Sequence, residues 1–79
     1  MKVQVKLMGM LRSKLPPEAR GRTVLELDPG ATVADVLARL GVADGPVHAV
    51  LVNDTPEHDR QRPLADGDAL VLLPPVAGG

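Results

Sequence analysis

The sequence predicts an α+β fold, a mixed sheet with one main helix packed on one face and a flexible C-terminal tail. Three observations predict it. Two stretches of period-two alternation lie in the first third of the chain. A capped amphipathic stretch with helical spacing follows. Short apolar runs bounded by turn residues come last.

The chain has 79 residues, enough for one domain, read as 1–73 with a tail at 74–79. It contains no cysteine, which excludes disulfide staples and thiolate metal sites. Stability must come from aliphatic packing, because 44% of residues are hydrophobic and none is aromatic. The formal net charge of −1 argues against general binding to nucleic acid or to a membrane surface. No signal peptide or membrane span is visible, and the longest apolar run, Ala69–Leu73, is far short of one, so a cytoplasmic location is expected.

Charge is unevenly placed along the chain. Residues 1–22 carry Lys2, Lys6, Arg12, Lys14, Arg20 and Arg22 against Glu18 alone, whereas acidic residues dominate afterwards. Either the segments interleave in space and the asymmetry averages out, or the fold presents a basic edge to an acidic partner.

The first element spans Met1–Met8. Val3, Val5 and Leu7 alternate with Lys2, Gln4 and Lys6, the pattern of a strand with one buried face. Gly9–Pro17 is a partly structured loop, because Pro16-Pro17 has no N–H to give a sheet ladder. Arg22–Leu27 alternates again and completes a hairpin, which Asp28-Pro29-Gly30 ends.

The helix signal comes next. Thr32 is a candidate cap, with Asp35 in the capping-box position. Val33, Val36, Leu37 and Leu40 form one apolar stripe. Gly41 stands where a left-handed cap belongs, and Arg39 suits the negative end of the helix dipole. Val47–Asn53 reads as a third strand, Thr55–Pro63 as a polar loop, and Asp66-Gly67 as a turn. Ala69–Leu73 is apolar throughout, which suits a central strand. Hairpin, helix, strand, strand, with the first and last strands adjacent, is the β-grasp or ubiquitin-like arrangement.

Four segments carry a more specific resemblance. They are the opening Val-x-Val-x-Leu with Leu11-Arg12, the run Pro29 to Leu37, Leu64-x-Asp66-Gly67-Asp68, and Pro74-Pro75-Val76-Ala77-Gly78-Gly79. Together they resemble the MoaD/ThiS family, which contains the small subunit of molybdopterin synthase and the thiamine-pathway sulfur carrier. Pro-Pro-Val before the diglycine leans toward the molybdopterin branch. Leu7, Met8 and Met10 stand where members often carry aromatic residues, and Ala77 where Ser is common.

The resemblance implies chemistry on the chain terminus. An E1-like adenylyltransferase would use ATP to activate the Gly79 carboxylate, and a sulfur donor protein would displace AMP to leave a thiocarboxylate. The chain itself would bind no cofactor. The recipient would be the molybdopterin synthase large subunit, or thiazole synthase in the thiamine branch; a protein modifier is a further alternative. The residue types suit the task. Gly78 and Gly79 lack a Cβ and can enter a narrow channel together with Ala77, Val76 and Pro75. Pro74–Gly79 can reach roughly 20 Å when extended. No phosphate-binding glycine loop or nucleophile–base pair is present, so catalysis must come from the partner.

Three further features have two readings each. Neighbouring apolar residues in the last two apolar runs cannot all face the helix. Leu51, Leu70 or Val71, and Leu72 or Leu73 are the residues concerned, and Leu51, Leu70 and Leu72 are therefore candidates for an exposed docking face, against a larger core wrapped by loops. His58 lies among Asp54, Glu57 and Asp59, but without regular ligand spacing the loop reads as solvated rather than metal-binding. Arg12, Lys14, Arg60 and Arg62 either steer an acidic partner or are scattered surface charge.

Overall fold

The structure is a computed structural model that describes residues 1–42 and 47–75. Strands β1 (Lys2–Leu7), β2 (Arg22–Glu26), β3 (Ala49–Val52), β4 (Thr55–Glu57) and β5 (Ala69–Leu73) form one sheet in the order β2-β1-β5-β3-β4, with helix α1 (Val33–Leu40) between β2 and β3. β1 runs antiparallel to β2 and parallel to β5, and β5 runs antiparallel to β3. The first and last strands are therefore neighbours at the centre of a mixed sheet, the β-grasp arrangement.

The core follows from the alternation. Val3, Val5 and Leu7 of β1 are buried with Val50 and Val52 of β3, Leu70 and Leu72 of β5, and Val33, Val36 and Leu37 of α1. Each such side chain contributes roughly 1.5–3 kcal/mol when taken from water. The residues between them in the strands emerge on the opposite sheet face.

The helix is capped as its sequence predicts. The Asp35 N–H donates to Thr32 Oγ1 at 3.3 Å, and the Thr32 N–H donates to Asp35 Oδ2 at 2.8 Å. Two further N–H groups of the first turn, at Val33 and Ala34, donate to the carbonyls of Arg62 and Arg60. The loop after β4 thus satisfies helix donors that would otherwise lack partners. At the other end, Gly41 donates to the Ala38 and Leu37 carbonyls.

The structure adds to the sequence reading in two places. The connection between β1 and β2 contains two 3-10 helices, Gly9–Lys14 and Pro17–Ala19, and buried Leu11 anchors the first of them. The segment expected to be a polar loop from Thr55 begins with β4, which pairs with β3 through Val52↔Thr55, Leu51↔Pro56 and Val50↔Glu57. Pro56 is tolerated because β4 is an edge strand, where its missing N–H faces no neighbour.

Candidate functional site

The site is built where β5 delivers the chain to its tail. Leu73 ends β5, Pro74 is half-buried and Pro75 is exposed. Val76, Ala77, Gly78 and Gly79 lie outside the described residues. The root of the tail is held closely. Gly9, at φ 55°, leaves so little space that an added Cβ would sit 2.9 Å from Pro74 Cγ. The Met8 N–H donates to the Leu72 carbonyl at 3.1 Å, and the His48 N–H donates to the Leu73 carbonyl at 2.8 Å. The last residues of β5 are therefore tied on both sides before the tail begins.

The outer sheet face lies beside this root. Registered partners share a face, so Arg22, Lys6, Val71, Leu51 and Pro56 form one transverse row across all five strands. Ala49 and Leu73 form the next pair toward the tail. Val71, Leu51 and Leu73 are half-buried, and Val24 is 60% exposed. A shallow groove of about 420 Å³ crosses β2, β1 and β5 on this side.

Two of the expected docking residues belong elsewhere. Leu70 and Leu72 are 1% and 0% exposed and sit in the core. Their register opposite Val5 and Leu7 of β1 sends them inward. Leu51 does face outward, and its apolar neighbours there are Val71 and Leu73. An all-apolar strand conceals this parity, since nothing in its own sequence marks which alternate set is buried.

The charge asymmetry does not average out. Among the described residues, the later cations are engaged. Arg62 pairs with Glu57 at 3.0 Å, Arg60 donates to the Glu57 carbonyl at 3.4 Å, and Arg39 donates to the Glu26 carbonyl at 3.3 Å. Lys6, Arg12, Arg20 and Arg22 instead line one cleft of about 530 Å³, together with Met8 and Gly9 at the tail root. No carboxylate lines that cleft among the described residues. Arg60 and Arg62 do not line the cleft that holds Arg12.

The opposite end of the sheet is tightly hydrogen-bonded. Asn53 Nδ2 donates to Asp68 Oδ1 at 3.0 Å, and the N–H groups of Ala69 and Ala65 donate to Asn53 Oδ1 and Asp68 Oδ2. The Lys2 N–H donates to Asp66 Oδ1 at 2.7 Å. The bonds from Ala65 and Asn53 hold the Asp68 carboxyl below the ordinary aspartate range. Among the described residues, no group of three or more His, Asp or Glu converges as a metal site, and no helix is long and apolar enough to cross a membrane.

Comparison with known proteins places this geometry. The chain is similar in structure to SAMP1 from Haloferax volcanii, with TM-score 0.75, 26% identity and full coverage of both chains. A second structure, described as H. volcanii small archaeal modifier protein 1, matches with TM-score 0.73 and 24% identity over 95% of this chain and 98% of that one. A Helicobacter pylori chain, from a complex of subunits 1 and 2 of molybdopterin-converting factor, matches with TM-score 0.66 and 27% identity over the whole of both chains. No curated protein sequence matches significantly. The family model of ThiS matches residues 5–79, nearly the whole chain and its final diglycine included. The chain therefore belongs to the ThiS family of ubiquitin-like sulfur carriers.

Proposed function

We propose that this chain carries sulfur on the carboxyl group of Gly79 for molybdopterin synthesis, as the small subunit of molybdopterin synthase. The observation that carries the reading is the family match reaching through Gly78-Gly79 on a fold whose central strand leads into that tail. The Gly79 carboxylate attacks the α-phosphorus of ATP on an E1-like adenylyltransferase, and pyrophosphate leaves. Persulfide sulfur on a donor protein then attacks the acyl carbon and AMP leaves. A thiol reduces the resulting acyl disulfide, so the donor sulfur departs as a disulfide with that thiol and a thiocarboxylate remains on Gly79. The partner supplies the catalytic groups. This chain supplies a side-chain-free end, a proline-stiffened root at Pro74-Pro75, and a docking face.

Leu51 with Val71 and Leu73 form that face. They are half-buried apolar side chains in one patch next to the tail root. The Helicobacter complex, in which a chain of this fold is assembled with its subunit 2, supports a large-subunit partner. The likeness to the Haloferax protein, named a small archaeal modifier, favours a second reading. In it the activated Gly79 is joined to lysine side chains. Thiamine synthesis, with thiazole synthase as recipient, is the sister use of the same thiocarboxylate.

Intact mass separates the carrier readings from the modifier, and copurification of the cognate large subunit or thiazole synthase separates the two carrier readings. Incubation with ATP, the cognate adenylating enzyme and a sulfur donor should add about 16 Da as sulfur replaces oxygen. A chain lacking Gly79 should add nothing while keeping its fold. Conjugates to other proteins without a thio form would favour the modifier, and an unchanged wild-type mass would overturn the carrier reading.

A further inference from the structure

We propose that the cationic cleft formed by Lys6, Arg12, Arg20 and Arg22 receives an acidic polypeptide segment of the adenylating enzyme that takes the tail. The inference rests on the carrier reading, and it names the chemistry that this partner must present beside its tail channel.

Four observations support it. The cations come from separate elements (β1, the first 3-10 helix, the residue capping the second, and β2), yet they line one cleft without a carboxylate among the described residues. Lys6 and Arg22 stand directly opposite each other on paired strands, an arrangement that destabilises a sheet unless an anion is placed between them. The Arg12 stem runs over Gly21, where an added Cβ would lie 3.0 Å from Arg12 Cγ. Finally, Gly9 lines the cleft and also abuts Pro74, so the cleft adjoins the start of the tail.

Position selects the occupant. A partner that draws Gly79 into its interior must cover surface within roughly 20 Å of Pro74, the reach of an extended six-residue tail. The cleft lies inside that radius. Its arginines are exposed rather than sunk around a small cavity, so they suit carboxylates on a partner's rim better than an enclosed phosphate. Exposed complementary charge of this kind mainly accelerates association and fixes orientation.

The test uses the full chain and its cognate adenylating enzyme in ATP–pyrophosphate exchange. The double variant Arg20→Glu/Arg22→Glu should raise the KM for this chain about tenfold or more, with kcat and the KM for ATP unchanged. Its melting temperature should not fall, since Arg22→Glu places opposite charges across Lys6. Salt should raise the wild-type KM and leave the variant's nearly flat. The conservative pair Arg20→Lys/Arg22→Lys should keep most of the wild-type KM. An unchanged KM for the chain would overturn the inference and leave the carrier reading intact. A rise confined to the KM for ATP would also overturn it, in favour of a phosphate site. A wild-type chain that supports no exchange would overturn the carrier reading, and this inference with it.

Discussion

Strands β1 and β2 pair in one register, yet their two ends are built to opposite rules. At one end Lys2 stands opposite Glu26, and at the other Lys6 stands opposite Arg22 on the same face. Around Lys2 the backbone and side chains are bonded to Asp66, Asn53 and Asp68. Around Lys6 the cations face a cleft without acids, and the chain leaves toward its tail. Unlike pairs across a sheet stabilise it and like pairs destabilise it, by roughly 0.2–1 kcal/mol each. The difference teaches that one end closes the fold while the other is left charged for contact. A molecule selected for stability alone would place a carboxylate at position 6 or 22.

This contrast can be attacked at both ends. The largest expected effect on stability is at the cationic end. Gly21 has φ 76°, and an added Cβ would lie 2.6 Å from the Leu7 carbonyl oxygen. Gly21→Ala should cost about 2–4 kcal/mol by combining left-handed strain with a backbone clash. Denaturant unfolding measures this, and a change under about 0.5 kcal/mol would show that Gly21 does not fix the cleft.

At the hydrogen-bonded end, Asn53→Ala removes the acceptor for Ala69 and a donor to Asp68, at a position with φ 51° that favours Asn. A loss of about 1–2 kcal/mol is expected in the same experiment. Carrier kinetics should be unchanged once the protein is folded, because this end lies away from the tail root. An altered KM for the partner would break the division between the ends.

The smallest effect is with pH. Bonds from Ala65 and Asn53 lower the folded Asp68 pKa relative to the unfolded chain. The associated stability is fully present above the unfolded value, about pH 4, and is lost as pH falls through the folded value. Thermal melts from pH 6 to pH 2 should show a steeper acid loss for wild type than for Asp68→Asn. Equal slopes would remove Asp68 from the account.

Much of this was legible in the sequence because the local signals agreed. The apolar stripe, Thr32, Asp35 and Gly41 all point to one helix, and the structure places it at Val33–Leu40. Alternation in β1 identifies Val3, Val5 and Leu7 as core. The missed parts needed partners to define them. β4 is three residues long with a proline at its centre, and only its pairing with β3 makes it a strand. In Ala69–Leu73 every residue is apolar, so the inward set is chosen by register with β1 rather than by composition. The basic excess near the amino terminus was visible, but its gathering into one cleft depends on how two 3-10 helices fold Arg12 and Arg20 back toward Lys6 and Arg22. The diglycine was legible from the first, and the structure contributes its root at Pro74 and the surfaces around it.

The central claim is that the working group is the carboxyl of Gly79, and fragment-ion mass spectrometry of the loaded chain tests it most directly. The account predicts that the added mass of about 16 Da lies on every fragment containing Gly79 and on none lacking it. Sulfur found on another residue, or Gly79 found only unmodified or joined to a lysine, would contradict it.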